Sequence, residues 1–596
     1  MRRWRWFIWT MVVALAVAGV LTSCDPEPDW PDIKGDTPKP GAYLLPLIQT
    51  TDIHGHIVNI DNGTVHYRMA YIADKVRDIR TARGGYNKDR VVLVDGGDLY
   101  QGASVSNLLN GEPIFITIDR MAYDAVALGN HEFDWGIENT VDQDATVPGY
   151  DWEGRHYDGD VPVVCANVYQ NGSRVPFTKD YVIVDKYAFN ESGDSVKVRI
   201  GIVGYATNYA GSILSSHFTD LGYTIDGDYS MAGEIAAELE TSGKCDATVL
   251  LTHEAAETAA EKLGRGSAID LVLGAHSHRT VTGRTDMGVA YLQGGRYCEH
   301  YAYADLRFTV DNQGNLSFTS VENQKAPAVD ASRDTHTSAG QNKDDLDEDI
   351  IKILDYAVEE TAVHQKDVIG YITIGATSWY LSGSGERAAT ISNWMCDMLR
   401  GIGQADVAFL NAGAIRTTIP LSSGQNRRNI TVADVYEIFP FNNLTYIYRI
   451  TYAELLQLLE FSMTSGGEAI FSRMTGIDCY YTQTTHTYYS GGTYTTSAVH
   501  SLSKDGTVIY QNKKWTGDWA SRTVTVAASE FLATTERTDY YTNLKNPLPE
   551  WNSTSRLVIN TLVDNENAVR ILRAEANANN GHLYIDNKPH FILKTN

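Results

Sequence analysis

Five short segments in the first 280 residues end in side chains able to hold a divalent cation: Asp52-Ile53-His54, Gly96-Gly97-Asp98, Gly129-Asn130-His131-Glu132, His253-Glu254 and His276-Ser277-His278. Asp52, His54, Asp98, Asn130, His253, His276 and His278 together offer seven oxygen and imidazole donors without a thiolate, a set suited to Zn, Mn, Fe or Co. A carboxylate has two oxygens, so one Asp can bridge two ions, and two ions about 3.5–4 Å apart can activate water and neutralise a phosphate ester. Singly, the pieces carry little. An Asp-x-His pair at a strand end is commonly a capped turn, Gly-Gly-Asp a plain turn, and a lone His after an apolar run a hydrogen-bonded core residue.

Each cluster follows a short apolar run: Leu44–Ile48, Arg90–Val94, Ala125–Leu128, Ala247–Leu251 and Leu271–Leu273. Runs of this length rich in Val and Leu suit central strands buried on both faces. Between them, Arg68 to Arg80 places Met69, Ile72, Val76 and Ile79 at helical spacing, as a covering helix requires. The spacing predicts a layered α/β core over residues 43–325. Ligands in such cores sit beyond the carboxyl ends of the strands, so the five clusters should converge on one crevice.

In this order the motifs resemble those of the calcineurin-like metallophosphoesterases, with Gly129-Asn130-His131-Glu132-Phe133-Asp134 the most specific piece. The resemblance implies a four-layer-type α/β domain with a mainly buried β core. It also implies roles. Asp98 would bridge two divalent ions, Asp52, His54 and His278 would complete one site, and Asn130, His253 and His276 the other. His131 would bind no metal but donate to a phosphate oxygen or the leaving group, with Asp134 orienting its ring. The reaction so implied is two-metal hydrolysis of a phosphate ester by activated water, with no covalent phosphoenzyme.

Further along, Asn411-Ala412-Gly413-Ala414-Ile415-Arg416 with Ile419-Pro420, and Val435 to Pro440-Phe441-Asn442-Asn443, resemble the substrate-binding domain of the 5′-nucleotidase and UDP-sugar hydrolase family. The resemblance covers roughly residues 43 to 564. It implies an α+β second domain in which Arg387, Asn411 and Arg416 contact phosphate or ribose and Phe441 stacks on a nucleobase. Two departures stand out. Ala388 replaces the acidic residue after the upstream Arg, and the family's Gly-rich aromatic segment is represented by Ala528–Ala533 and Thr534–Tyr541, leaving Tyr540 or Tyr541 as the second stacking ring. Nucleoside 5′-monophosphates or related nucleotides are the expected substrates. The alternatives are a metallophosphatase acting on non-nucleotide esters, or a non-catalytic surface binding protein on the same scaffold; the presence of all seven donors and His131 argues against the latter.

The chain of 596 residues carries a formal charge of −25, which disfavours nucleic-acid polymers as partners because these require a basic face. A small phosphorylated substrate remains compatible, since cations in a cleft dominate the local field. Residues 1–24 have the basic start, short apolar stretch and small-residue end of a secretory signal. Leu21-Thr22-Ser23-Cys24 resembles a bacterial lipobox, implying a lipid-anchored protein of the cell envelope whose membrane contact is through Cys24 alone. Residues 25–42, rich in Pro and charge, read as a tether. The polar stretch after Lys325 and a helix from about Glu348 form a linker over 326–365, where the domains would hinge. The second domain spans 366–564, followed by an extension over 565–596. There, Val569–Ala574 reads as helical, and Leu583–Ile585 with Phe591–Leu593 as a terminal strand pair. Cys165, Cys245, Cys298, Cys396 and Cys479 are odd in number, so at least one is free.

Overall fold

The computed structural model describes residues 38–594 apart from 62–63, 83–84, 208–217, 219–220, 265, 330–334, 337–345, 378–389, 412–413, 442, 464–472, 488–492 and 535–552. Strands β1 (Gly41–Thr50), β2 (Val92–Asp95), β3 (Ala125–Ala127), β4 (Tyr181–Phe189), β5 (Ser195–Ala206), β6 (Ala247–His253), β7 (Leu271–Leu273), β8 (Ala290–Gly294) and β9 (Ala302–Val310) belong to one twelve-stranded sheet. It contains two parallel blocks. β1, β2 and β3 run parallel in that order, as do β5, β6, β7 and β8. β4 is antiparallel to both β5 and β1 and joins the blocks, while β9 lies antiparallel along β1 from Gly41↔Val310 to Gln49↔Ala302.

Strand side chains alternate between faces, and here the two faces feed different cores. Tyr43, Leu45 and Leu47 of β1 meet Val198, Ile200 and Ile202 of β5 and Leu306 and Phe308 of β9 in a cluster built from strand residues. On the opposite faces, Ile48 and Leu93 pack with Met69, Ile72 and Val76 of helix α1 (Arg68–Thr81). Val203 and Tyr205 pack with Ala232 and Ala236 of the helix Ser230–Thr241. The resulting order of helix, one block of the sheet, the other block and helix is the four-layer arrangement with a buried β core. β2, β3, β6 and β7 are buried along their whole length, as strands covered on both faces must be.

The short helix α2 (Ser104–Asn107) follows the Asp98 loop. Helix α3 (Glu348–Lys366) begins where the Asp347 side chain accepts from the backbone N–H groups of Asp349 and Ile350, and buries Ile350, Ile353, Leu354 and Ala357 against the N-terminal core. Beyond it, a five-stranded sheet has the order Arg473–Thr475, Val407–Leu410, Thr523–Ser529, Leu444–Thr451, Leu557–Val563. Helices α4 (Thr390–Gly403), α5 (Val432–Ile438) and α6 (Asp564–Ala578) share its core. A second sheet is built on the Thr- and Tyr-rich hairpin of strands Asp478–Thr487 and Thr493–Lys504.

The last thirty residues are integral to this region. α6 places Ala568, Leu572 and Ala576 in the core, and Leu583 and Ile585 join them. The terminal strand pair expected from the sequence does not form. Residues 583–585 are not a strand: the Leu583 N–H donates to the Tyr371 carbonyl at 2.8 Å. Phe591–Leu593 pairs instead with Cys479–Tyr481 in parallel. The connecting turn is held away from a hairpin by Asn393, whose Nδ2 donates to the carbonyls of Asp586 and Lys588. The five cysteines among the described residues are buried and free. Among the described residues, no helix is long and apolar enough to cross a membrane.

Candidate metal centre

The loops after β1, β2, β3 and β7, and the end of β6, meet on one side of the sheet. Asp52 at φ 49°, His54 at φ 48°, Asp98 at φ 58°, His276 at φ 63° and His278 at φ 57° all adopt left-handed backbone, a conformation unfavourable for non-glycine residues that concentrates at functional sites. Backbone hydrogen bonds hold them there. The Asp52 N–H donates to the Gly97 carbonyl (3.0 Å), His54 N–H to Asp98 (2.8 Å), and Gly55 N–H to Leu99 (2.8 Å). The loop after β1 is thereby zipped to the loop after β2, with Asp52, His54 and Asp98 almost wholly buried.

Three triads of ligand atoms lie within 4.8 Å of one another: Asp52, His54 and His278; Asp98, His253 and His276; and His54, Asp98 and His131. Backbone carbonyls fix two of the rings. His54 Nδ1 donates to the Gln101 carbonyl at 2.8 Å, and His253 Nδ1 to the Gly96 carbonyl at 2.7 Å. Each ring then turns its Nε2 inward. His54 Nε2 lies 3.2 Å from His278 Nε2, and His253 Nε2 lies 3.0 Å from Asp98 Oδ2 and 3.1 Å from Asn130 Oδ1. Asn130 Oδ1 is also 3.0 Å from His276 Nδ1. His131 stands beside this set, its N–H donating to Asp98 Oδ1 (2.9 Å) and its Nδ1 bound to Asp134 Oδ2 (2.7 Å).

Burial holds His54 well below the ordinary imidazole range. Burial and the neighbouring His253 bring His276 to about 3, and burial with Arg416 nearby brings His278 to about 2. These rings therefore present lone pairs. Burial opposes a charge on His253 as well, but the adjoining Asp98 carboxylate outweighs it and pushes the ring to about 10. Burial would lift Asp98, yet His253 and His131 hold it well below the carboxylate range, and Asp52 is lifted by burial to about 7.

The donor set fits divalent cations. It is buried, free of thiolate and rich in neutral imidazole. With Nδ1 of His54 committed to a carbonyl, its Nε2 lone pair faces Nε2 of neutral His278 at 3.2 Å, close enough for both rings to hold one cation. Asp52, His54 and His278 would hold one ion, Asn130, His253 and His276 the other, with Asp98 reaching both groups of ligands.

Of the substrate residues expected from the sequence, Arg416 and Phe441 reach this centre from the C-terminal region. Arg416 Nη2 is 3.4 Å from His131 Nε2 and its guanidinium lies 5.3 Å from the Phe441 ring. The Phe441 ring itself stacks on His131 with centroids 5.5 Å apart at 24°. Asn411 is buried, and its Oδ1 has no hydrogen-bond partner among the described residues. Arg387, Tyr540 and the lipidation candidate Cys24 lie outside the described residues.

Several contributors went unnamed in the sequence reading. Ser104 Oγ donates to Glu437 Oε1 at 3.0 Å, and Asn107 Nδ2 donates to the Pro440 carbonyl at 3.0 Å, tying α2 to the corner that carries Phe441. Tyr297 sits edge-on to both His54 and His278 at 5.7 and 5.6 Å. A cavity of about 290 Å³ opens beside the centre, between faces bearing His56, Asn59 and Ser104 on one side and Thr417 and Glu437 on the other.

Fold and site together define a phosphoesterase domain with a cluster of metal-ligating residues, followed by a second domain that sets Arg416 and Phe441 against its edge. The calcineurin-like phosphoesterase family matches residues 45–280, and the 5′-nucleotidase C-terminal domain family matches residues 368–517. Residues 45–280 are thus a calcineurin-like phosphoesterase domain and residues 368–517 a 5′-nucleotidase C-terminal domain, and between them the two span more than half of the chain. Protein UshA of Yersinia enterocolitica is 24% identical over 453 residues, 69% of this chain and 74% of that protein. Endonuclease YhcR of Bacillus subtilis is 24% identical over 430 residues, and the aligned part is 67% of this chain but only 31% of that longer protein. A 5′-nucleotidase precursor from Thermus thermophilus shares the fold with a TM-score of 0.63 at 18% identity, covering 93% of this chain and all of that one.

Proposed function

We propose that this protein hydrolyses the phosphate esters of nucleotides, nucleoside 5′-monophosphates first among them, releasing inorganic phosphate and the nucleoside. The observation that carries the reading is the placement of Arg416, from the C-terminal region, against His131 at the edge of the metal-ligand cluster. A guanidinium there can pair with phosphate oxygens. Two divalent cations bound by the ligands above would lower the pKa of a water and neutralise the phosphate oxygens.

The chain's own groups supply the rest. Asp134 accepts from His131 Nδ1, so Nε2 faces the cleft. Burial opposes the charged imidazole, but the Asp134 and Asp98 carboxylates outweigh it and raise the ring's pKa, so that His131 can give a proton to the departing oxygen. The attacking water sheds one proton to solvent as its oxygen joins phosphorus, the bond from phosphorus to the ester oxygen breaks, that oxygen leaves with the His131 proton, and the imidazole is reprotonated from solvent. Phe441 covers one face of His131 and limits water around it.

The test is phosphate release by protein lacking residues 1–24, supplied with Mn, Zn or Co, from a panel of nucleotides and sugar phosphates. Metal-dependent release from nucleotides supports the reading. Release only from other esters replaces the substrate class, and no release with any metal contradicts the enzyme itself. The N-terminal sequence further supports export and lipid anchoring at Cys24. Cys24→Ala should shift the protein from the membrane to the soluble fraction, and unchanged membrane association would contradict the anchor.

A further inference from the structure

Glu132 neighbours His131, yet its carboxylate takes no part in the arrangement described so far. It is 3% exposed, and both oxygens are taken by backbone N–H groups: Leu99 at 2.8 Å on Oε1, and Asp98 at 3.0 Å and Gly129 at 2.7 Å on Oε2. The same peptides pass the bonding on, because the carbonyls of Asp98 and Leu99 accept from His54 and Gly55. A single carboxylate is thus tied to the loops that carry Asp52 and His54, Asp98, and Asn130. No side chain fits at Gly129, where an added Cβ would collide with the carboxylates of both Asp98 and Glu132.

We propose that Glu132 is a positioning residue for the metal centre, holding the left-handed Asp98 at a set distance from His54 and Asn130. The assignment rests on the two-metal reading of the site. Glu132 is then neither ligand nor proton acceptor in this account: its oxygens face the N–H groups of Asp98, Leu99 and Gly129, and it belongs to none of the three ligand triads. The assignment requires a carboxylate. A carboxylate is acceptor-only and can serve three donors, whereas an amide would set an NH₂ against a backbone N–H. Groups that orient metal ligands commonly carry about 10–100-fold in metal affinity.

The experiment is calorimetric titration of the metal-stripped full-length protein with Mn²⁺, alongside the thermal midpoint of the stripped form. Glu132→Gln should leave a cooperative thermal transition and weaken at least one Mn²⁺ equivalent by about 10–100-fold, with Glu132→Asp recovering part of the loss because it keeps two acceptor oxygens. Wild-type affinity for every equivalent in Glu132→Gln overturns the proposal. If that variant fails to fold, Glu132→Asp is read alone, with weakened binding supporting the proposal and unchanged binding overturning it. Wild-type protein taking up fewer than two equivalents would contradict the two-metal reading instead. The affinity of the single equivalent, which Asp98 would still serve, is then the quantity compared.

Discussion

In the N-terminal region the metal-ligating side chains stand on backbone that is itself held by backbone: Asp52 on Gly97, His54 on Asp98, Gly55 on Leu99. Their rings are aimed by the carbonyls of Gln101 and Gly96. In the C-terminal region Arg416 and Phe441 reach the same His131 across a surface joined by side-chain hydrogen bonds from Ser104, Asn107 and Gln365. Backbone ladders are set when the sheet forms. A side-chain contact between two regions can be lost without unfolding either. The metal centre should therefore tolerate changes in the C-terminal region, while substrate handling should respond to changes on both sides of the interface.

The strongest separation of the two should come at His131, which belongs to the N-terminal region but binds no metal in this account. His131→Ala should lower kcat by about 10²–10⁴-fold, the usual yield of a positioned proton donor, with Mn²⁺ uptake unchanged; loss of metal along with activity would place His131 among the ligands. Arg416→Ala comes next. Hydrogen bonds to charged groups contribute about 1.5–3 kcal/mol, so kcat/KM should fall by roughly 10–100-fold at constant metal content, and Arg416→Lys should recover little because a lysine lacks the planar fork. Equal kcat/KM in Arg416→Ala would remove the guanidinium from the substrate's path.

A smaller effect is expected at the tie itself. Asn107 Nδ2 reaches the Pro440 carbonyl while its amide also brackets Gly102, whose N–H donates to Asn107 Oδ1 at 3.0 Å. A neutral hydrogen bond contributes about 1 kcal/mol, so Asn107→Ala should raise KM for a nucleotide roughly fivefold and leave Mn²⁺ affinity alone. An altered metal affinity would show that the two regions are not separable.

The smallest effect lies far from the site. His590 sits between Asp478 at 2.8 Å and Asp586 at 3.1 Å and pins the terminal strand. Burial opposes its charge, but the two carboxylates prevail and raise its pKa. A raised folded value means that the stabilisation is complete below the unfolded value of about 6.5 and is lost as pH rises through the folded one. The thermal midpoint of wild type should therefore exceed that of His590→Gln most at about pH 5, and the gap should narrow towards about pH 8. A gap that widens with pH would contradict the ion pair.

The same contrast governs what the sequence discloses. Metal donors lie within a few residues of the strands that present them, so Asp52, Asp98, Asn130, His253 and His276 are legible as a series of strand ends, and the α/β layering follows from the apolar runs between them. The atoms that aim the rings are main-chain carbonyls, which have no residue signature. Glu132 stands in plain view inside a motif, but its partners are N–H groups of Asp98, Leu99 and Gly129, and only the folded chain reveals them. The contact of Arg416 with His131 joins residues 285 apart in the chain. At the C-terminus, Leu583–Ile585 has the apolar character of a strand but is drawn into the core beside α6, because the Tyr371 carbonyl takes its N–H first.

The central claim is that five strand ends build one centre whose two cations act together on a phosphate ester. Its most direct test is to titrate the metal-stripped protein with Mn²⁺ while following phosphate release from AMP. The account predicts silence without metal and activity that rises to its full value only as a second equivalent is taken up. Activity that is already complete at one equivalent, or that persists in the stripped protein, would contradict it.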